Sequence, residues 1–221
     1  MMRRFFTLRP GRVSYRLGLS IQEQLLLARR EGQEDILLLL EHPPVITLGR
    51  RGQESHLLTA PADLESMGLA VFHTGRGGDV TYHGPGQLIG YPIVDLQPLN
   101  RDLHLYLRRL EEMLIDTLAA FAITGRRVEG KTGVWVGEKK IASIGVGVRQ
   151  WVTWHGFALN VSEQTAGFSH IVPCGLTGVA MTSMEQLLGR RIALSEVEEQ
   201  LIPAFARVFD STHAGAYEAT T

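Results

Sequence analysis

The segment at residues 35–40, in which Asp35 is followed by five consecutive apolar residues, constrains the fold more than any other. Pro43 and Pro44 follow it and break the chain. A strand that is apolar at consecutive positions is typical of a sheet covered on both faces. The chain has 221 residues, of which 44% are apolar, so it can bury one substantial core. These features predict a single α/β or α+β domain over residues 1–221.

Hydrophobic periodicity predicts the other elements. Apolar residues recur at three- and four-residue spacing over residues 102–122, which predicts a long helix. Shorter helices are predicted at residues 20–30 and 61–67, and two capping boxes, Thr182 with Glu185 and Ser195 with Glu198, predict helix starts near the C-terminus. Strands are predicted at residues 12–17, 35–40, 45–48, 69–74, 133–136, 140–148 and 151–161.

Charge and hydropathy exclude two classes of partner. The formal net charge is -1, and basic stripes interleaved with aromatic residues are lacking, which argues against nucleic acid as the main ligand. No apolar stretch approaches the ~18 to 20 residues that cross a bilayer, so no membrane partner is expected. The N-terminal apolar stretch is too short for a signal peptide, and a single free thiol suits a reducing compartment, so we expect a cytoplasmic protein.

Cys174 is the only cysteine, between Pro173 and Gly175. One thiol can form neither an intrachain disulfide nor a multi-thiolate zinc site, and no metal site is predicted. Two interpretations remain at this point: an inert buried thiol, or a nucleophile held on a shaped turn.

Lysine is confined to one short stretch. Among 22 basic residues only Lys131, Lys139 and Lys140 are lysines. Arginine stays protonated and cannot exchange a proton near neutral pH, whereas lysine can. Lys139 has the setting of a solvated hairpin tip. Lys140 begins an apolar run and is therefore predicted to lie at the end of a buried strand.

Residues 74–92 are rich in glycine. Glycines allow a backbone to approach a ligand closely, and Arg76 with neighbouring amides could receive a carbonyl, carboxylate or phosphate. The stretch is neither a P-loop nor a dinucleotide fingerprint, and a plain glycine-rich hairpin explains it equally well. His83 is either a core histidine or a base near the thiol, as in a Cys-His nucleophile.

Five blocks, in this order, resemble the octanoyltransferases of lipoate biosynthesis, which are relatives of the biotin and lipoate protein ligases. The blocks are residues 76–87 (RGGDVTYHGPGQ), 130–136 (GKTGVWV), 140–145 (KIASIG), 155–160 (HGFALN) and 173–175 (PCG). The resemblance covers residues 12–210 approximately. It implies an α+β domain of the biotin/lipoate protein ligase type, with a mixed, mostly antiparallel sheet flanked by helices.

The resemblance also implies a reaction. An octanoyl group would pass from octanoyl-acyl carrier protein to a lysine of a lipoyl domain, in 2-oxoacid dehydrogenase E2 subunits or the glycine cleavage H protein. The matching cysteine, Cys174, would carry the acyl thioester, and the matching lysine, Lys140, would activate it. The substrate pocket maps onto Arg76, Gly77, Gly78, Asp79, Val80, Thr81, Tyr82, His83, Ser143, Ile144, Gly145, Gly156, Phe157 and Ala158.

Acyl exchange between thioesters is nearly energy-neutral and amide formation is downhill, so no nucleotide or other cofactor is expected. Amides near Gly145 or Gly175 could stabilise the oxyanion. Further predicted wall residues are Tyr91, Ile144 and Leu159, and predicted carrier-docking residues are Arg126, Arg127, Lys131 and Arg149.

Three other interpretations stay open: an ATP-dependent lipoate or biotin protein ligase, a non-catalytic carrier-binding protein, and a Cys-His hydrolase. The first two have no need of a thiol at position 174.

Overall fold

Eleven strands and five α-helices make up the described part of a computed structural model, which covers residues 3–162 and 166–218. The strands are β1 (Arg3–Arg12), β2 (Asp35–Glu41), β3 (Val45–Leu48), β4 (Ala70–His73), β5 (Val80–His83), β6 (Gln87–Ile93), β7 (Arg126–Val128), β8 (Lys131–Val136), β9 (Lys139–Arg149), β10 (Val152–Asn160) and β11 (Ser211–Ala216). The helices are α1 (Tyr15–Arg30), α2 (Pro61–Ser66), α3 (Leu103–Ala119), α4 (Met184–Leu188) and α5 (Leu194–Val208).

Eight strands form one sheet in the order β11-β1-β2-β6-β10-β9-β8-β7. The β11–β1 and β1–β2 pairs are parallel, and every later pair in that order is antiparallel. A second sheet has the order β4-β3-β5. The predicted α+β architecture with a mixed, mostly antiparallel sheet is therefore confirmed.

The apolar run of β2 is explained by helices on both faces of the large sheet. Leu37 and Leu39 join the core that includes α3 and α5, while Leu38 and Leu40 join the core that includes α1. Consecutive side chains of a strand point to opposite faces of the sheet. A strand whose two faces are both covered is therefore apolar at consecutive positions.

Two predicted element starts are wrong at the N-terminal side. Residues 12–17 do not form a strand, because Ser14 caps α1 by accepting a hydrogen bond from the Leu17 backbone N–H at 3.2 Å. Helix α1 consequently begins at Tyr15, five residues before the predicted start at Ser20. The spacing of its buried residues Tyr15, Gly18, Gln22 and Leu25 is helical.

Both predicted capping boxes are displaced. Helix α4 is capped by Ser183, whose hydroxyl accepts from the Gln186 N–H, so Thr182 with Glu185 is not the cap. Helix α5 starts after Ala193, whose N–H donates to the Glu196 carboxylate at 2.8 Å, so Ser195 with Glu198 is not the cap either. Thr182 and Ser183 are adjacent short polar residues, and either type can cap a helix. The boundary of a helix commonly shifts by one or two residues.

The glycine-rich stretch 74–92 is not a hairpin. Strand β5 pairs with β3 in the small sheet, whereas β6 lies between β2 and β10 in the large one. The chain between β4 and β5 crosses to β9, where the Gly77 N–H donates to the Val146 carbonyl at 2.7 Å. This crossing brings the glycine-rich segment over the middle of β9 and β10.

Candidate active site

The structure brings Cys174 and Lys140 together across the 34 positions that separate them. The Nζ atom of Lys140 lies 3.3 Å from the Sγ atom of Cys174. An ammonium at this distance favours a thiolate, and a neutral amine there could accept the thiol proton. The pair therefore has the geometry of an activated nucleophile.

Lys140 is 2% exposed and is held from several sides. Its Nζ donates to the Thr132 carbonyl at 2.9 Å and lies 5.6 Å from the centre of the Trp135 ring. Its backbone N–H donates to the Ala180 carbonyl, and its carbonyl accepts from the Thr182 N–H, each at 2.9 Å. The position of the amine beside the thiol is thus fixed by strand β8 and by the segment after Cys174.

Cys174 occupies a strained backbone position on a short turn at Pro173–Gly175. Its φ of 58° is in the left-handed region, which costs a non-glycine residue roughly 1–2 kcal/mol. The Gly175 N–H donates to the Val172 carbonyl at 2.9 Å and closes the turn. The turn presents a partly exposed thiol toward Lys140.

A histidine–aspartate pair, His56 with Asp79, lies next to this turn and contacts it. The Nδ1 atom of His56 lies 2.7 Å from Oδ2 of Asp79, and the His56 carbonyl accepts from the Val172 N–H at 2.8 Å. A Cβ atom at Gly175 would lie 2.5 Å from the Asp79 carboxylate, so this position requires glycine. Sequence reasoning did not identify His56, because no motif surrounds it.

Arg76 fixes the glycine-rich segment from inside the protein. Its guanidinium donates to the Thr47 carbonyl at 2.6 Å, to the Thr47 hydroxyl, and to the Gly77 carbonyl at 3.1 Å. Burial lowers the pKa of Arg76, and nearby Tyr15 and Cys174 oppose that shift. Arg76 was expected to bind a ligand carbonyl, carboxylate or phosphate, but it donates these hydrogen bonds to Thr47 and to the Gly77 carbonyl.

A cavity of about 310 Å³ lies beside the thiol. Nearly all of the predicted pocket residues line it. They are Arg76, Gly77, Gly78, Asp79, Val80, Thr81, His83, Ser143, Ile144, Gly145, Gly156, Phe157 and Ala158, together with Cys174, Lys140 and Tyr91.

Two predicted pocket residues do not line the cavity. The ring of Tyr82 packs on Phe168, at a centroid distance of 5.5 Å, in the core of the small sheet. Leu159 is buried in the core below the large sheet. Alternation along β5 explains Tyr82, since Thr81 and His83 on either side of it line the cavity. Leu159 lies one residue beyond Ala158, the last residue of β10 in the cavity wall.

Other residues of the cavity wall come from distant parts of the chain. Tyr15 in α1, His155 in β10, and Leu103 and Leu107 in α3 contribute to it. Their sequence neighbourhoods carry no motif for a pocket, except that His155 begins one of the five blocks.

Three histidines are buried at the cavity or next to it. His83 and His155 line it, and the ring of His42 lies 6.0 Å from that of His83. Burial lowers the pKa values of His42, His83 and His155, in the last case to about 3. The Nδ1 atom of His83 lies 3.1 Å from the Gln87 side-chain oxygen, and the Nε2 atom of His155 lies 3.1 Å from the Thr74 hydroxyl. Neutral imidazoles with such partners belong to a packed polar wall. The amine of Lys140, rather than His83, contacts the thiol.

We predict that His155 makes folding sensitive to acid. The folded-state pKa of about 3 lies below the ordinary value of about 6.5, so the unfolded chain binds the proton more readily. The contribution of neutral His155 to the free energy of unfolding is fully present above pH ~6.5 and is lost as the pH falls toward 3. Denaturant titrations at a series of pH values measure this effect. As the pH is lowered, the free energy of unfolding of His155→Gln should fall less steeply than that of the parent, by up to ~1.4 kcal/mol per pH unit. The exposed His73→Gln control should leave the slope unchanged.

Gly133 leaves the space that the side chain of Lys140 occupies. Its φ is +123°, and a Cβ atom there would lie 2.7 Å from Lys140 Cε and 2.5 Å from the Ala142 carbonyl. Gly133→Ala is expected to lower the activity of the Cys174–Lys140 pair about tenfold or more and to reduce the melting temperature. Gly130→Ala is a matched control of positive φ, since a Cβ atom there would meet nothing within 4 Å. Equal activity losses in both variants would contradict the assigned role of Gly133.

The predicted carrier-docking residues have different surroundings. Arg126 pairs with Glu138 at 2.9 Å, Arg127 pairs with Glu111 at 3.1 Å, and Arg149 lies over the Trp154 ring. Lys131 is exposed and also lines the cavity. It is therefore the docking candidate that lies at the cavity itself.

Over residues 3–162 and 166–218, no group of three or more histidine, cysteine, aspartate or glutamate side chains is arranged to hold a metal ion. Within the same ranges, no helix has the length and apolar character needed to cross a membrane.

Residues 14–206 match the model of the lipoyl protein ligase A/B catalytic domain family. Two curated relatives are named octanoyltransferase. The one from Solibacter usitatus is 56% identical over 201 residues, covering 90% of each chain. The one from Geobacter metallireducens is 47% identical over 201 residues, covering 90% of this chain and 91% of the relative.

A solved structure shares the fold. It is the bi-partite lipoate protein ligase of Thermoplasma acidophilum, described with its E2 lipoyl domain. The TM-score is 0.70 at 18% identity, and the match covers 99% of this chain and 88% of that chain. At 18% identity this likeness shows a common fold alone. The two octanoyltransferases are more closely related to this chain in sequence.

Proposed function

Since this chain belongs to the lipoyl protein ligase A/B catalytic domain family and is an octanoyltransferase, an acyltransferase enzyme, we propose a thioester route for its reaction. The octanoyl group passes from octanoyl-acyl carrier protein to Cys174, and then to a lysine of a lipoyl domain. The observation that carries this proposal is the 3.3 Å contact between Lys140 Nζ and Cys174 Sγ at the wall of a cavity.

In the first step, the Cys174 thiolate attacks the carbonyl carbon of the donor thioester. The new Cys174 thioester forms, the bond to the carrier's sulfur breaks, and the carrier leaves as a thiol after taking up a proton. Lys140 is placed to hold the attacking thiolate and to supply that proton. The backbone amides of Gly145 or Gly175 are candidates to stabilise the oxyanion.

In the second step, the amine of the acceptor lysine attacks the Cys174 thioester. An amide bond forms, the carbon–sulfur bond breaks, and Cys174 is released as the thiolate that begins the next cycle. The attacking amine must lose a proton, and neutral Lys140 is placed to take it. Thioester cleavage with amide formation is downhill, so the cycle uses no nucleotide.

The cavity supplies the selectivity for a medium acyl chain. Seven carbons beyond the carbonyl, at about 0.8 kcal/mol each, contribute on the order of 5 to 6 kcal/mol when they are enclosed. Gly77, Gly78 and Gly145 line the cavity, and Ile144 and Tyr91 form apolar and aromatic parts of its wall. This free energy of burial favours an octanoyl group over shorter acyl groups.

The acceptors follow from the family. We infer that they are lipoyl domains of 2-oxoacid dehydrogenase E2 subunits and of the glycine cleavage H protein, in the cytoplasm. The Thermoplasma acidophilum ligase, which is described with its E2 lipoyl domain, supports an acceptor of that type.

An ATP-dependent ligase is the second candidate, because the architecture is shared with a lipoate protein ligase. The purified protein should transfer octanoyl from octanoyl-acyl carrier protein to a lipoyl domain without ATP. Free octanoate plus ATP should give no product. Transfer that requires ATP and survives Cys174→Ala would instead identify a ligase.

A further inference from the structure

Glu111 is a charged side chain in helix α3 that is 0% exposed. One of its carboxylate oxygens, Oε2, lies 2.6 Å from Arg108 and 3.1 Å from Arg127. Burying a carboxylate is costly unless it is paired and fully hydrogen-bonded. The next residue, Glu112, pairs with the same Arg127 while half-exposed. An ion pair with Arg127 therefore does not by itself require a buried acid.

The other oxygen of Glu111 points toward the active site. Oε1 accepts a hydrogen bond from the Gly133 N–H at 3.0 Å. The carbonyl of the same peptide group, that of Thr132, accepts from Lys140 Nζ at 2.9 Å. One peptide plane thus connects the buried carboxylate with the amine that contacts Cys174 Sγ at 3.3 Å.

This peptide group is adjacent to a glycine whose φ of +123° is open to few other residues. Glycine offers little resistance to rotation of the neighbouring peptide, and a rotated peptide would turn its carbonyl away from Lys140. A charged acceptor on the N–H holds the plane, because charge-assisted hydrogen bonds are roughly twice as strong as neutral ones.

We propose that Glu111 is a positioning residue for Lys140, acting through the Thr132–Gly133 peptide group. The inference rests on the proposed function of the Cys174–Lys140 pair. Glu111 itself touches neither the thiol nor the substrate in this role. It determines whether the amine of Lys140 is held within contact of the sulfur.

The test measures the rate at which iodoacetamide alkylates Cys174, which is the only cysteine and hence the only thiol. Glu111→Leu removes the acceptor and should slow alkylation at pH 7 by about tenfold or more. Glu111→Gln can keep an oxygen on the Gly133 N–H and should remain within about threefold of the parent rate. Arg108→Gln and Glu112→Gln disturb the surrounding ion pairs without removing that acceptor, so both should stay within about twofold.

A double-mutant cycle asks whether Glu111 acts through Lys140. In a Lys140→Ala background, Glu111→Leu should slow alkylation no further. In the Lys140-containing protein, Glu111→Leu should lower kcat for octanoyl transfer while leaving KM nearly unchanged. Should Glu111→Leu not fold, as judged by circular dichroism, Glu111→Asp replaces it, because the shorter side chain withdraws the carboxylate from Gly133.

A folded Glu111→Leu protein that alkylates at the parent rate would overturn the inference. An equal slowing in the Lys140→Ala background would also overturn it. A different result, in which Lys140→Ala alone leaves alkylation and transfer unchanged, would refute the proposed Cys174–Lys140 pair instead. The failures of the two proposals are therefore distinguishable.

Discussion

Replacing Lys140 with arginine is expected to lower octanoyl transfer by about 100-fold or more, although the positive charge is kept. Arginine stays protonated, so it can neither return a proton to the departing carrier thiol nor take one from the acceptor lysine. Proton transfer by a positioned side chain contributes roughly 10²–10⁴-fold to a rate. The planar guanidinium is also larger than the ammonium that lies between Thr132 O and Cys174 Sγ.

The measurement is steady-state transfer from octanoyl-acyl carrier protein to a lipoyl domain. Lys139→Arg is the matched control, because that neighbouring lysine is exposed at the start of β9 and should tolerate the change. Near-parental turnover of Lys140→Arg would mean that Lys140 serves only as a fixed cation and that another group moves the proton.

Cys174→Ser is expected to lower the same transfer by about 1,000-fold or more. The serine hydroxyl has almost the same shape as the thiol, but it is a far weaker nucleophile at neutral pH without a matched base. Since Lys140 and the turn remain in place, the variant should stay folded and its melting temperature should change little.

Ser143→Ala is a useful comparison for Cys174→Ser, because Ser143 also lines the cavity but has no assigned chemical step. It should retain transfer within about tenfold. Substantial transfer by Cys174→Ser, at rates near those of Ser143→Ala, would exclude an obligatory thioester at position 174.

Strand β2, helix α3 and strands β8 to β10 were predictable from the sequence, whereas β1, β6 in the middle of the large sheet and the edge strand β11 were not. The apolar run of β2 shows its two-sided burial directly, and α3 shows its periodicity over four turns. Strand β1 contains Pro10 and Gly11 and is fully buried only at Phe5 and Thr7, so it has no clear alternation. Strand β11 has few large apolar residues, and only its pairing with β1 defines it.

The site was predictable as a set of residues but not as a geometry. Sequence blocks identified Cys174 and Lys140, whereas their contact depends on the pairing of β9 with β8 and with the segment after Cys174. Tyr82 shows the limit of carrying over a block residue by residue, since its ring packs in the core of the small sheet while Thr81 and His83 line the cavity. His56 and Glu111 reach the site through tertiary contacts alone, and their sequence neighbourhoods give no sign of them.

The most direct test of the thioester route is the intact mass of the protein after incubation with octanoyl-acyl carrier protein and no acceptor. We predict a gain of one octanoyl group, located on the peptide that contains Cys174, absent in Cys174→Ser, and lost when a lipoyl domain is added. Transfer to the lipoyl domain without any such adduct, or an adduct that persists in Cys174→Ser, would contradict the account.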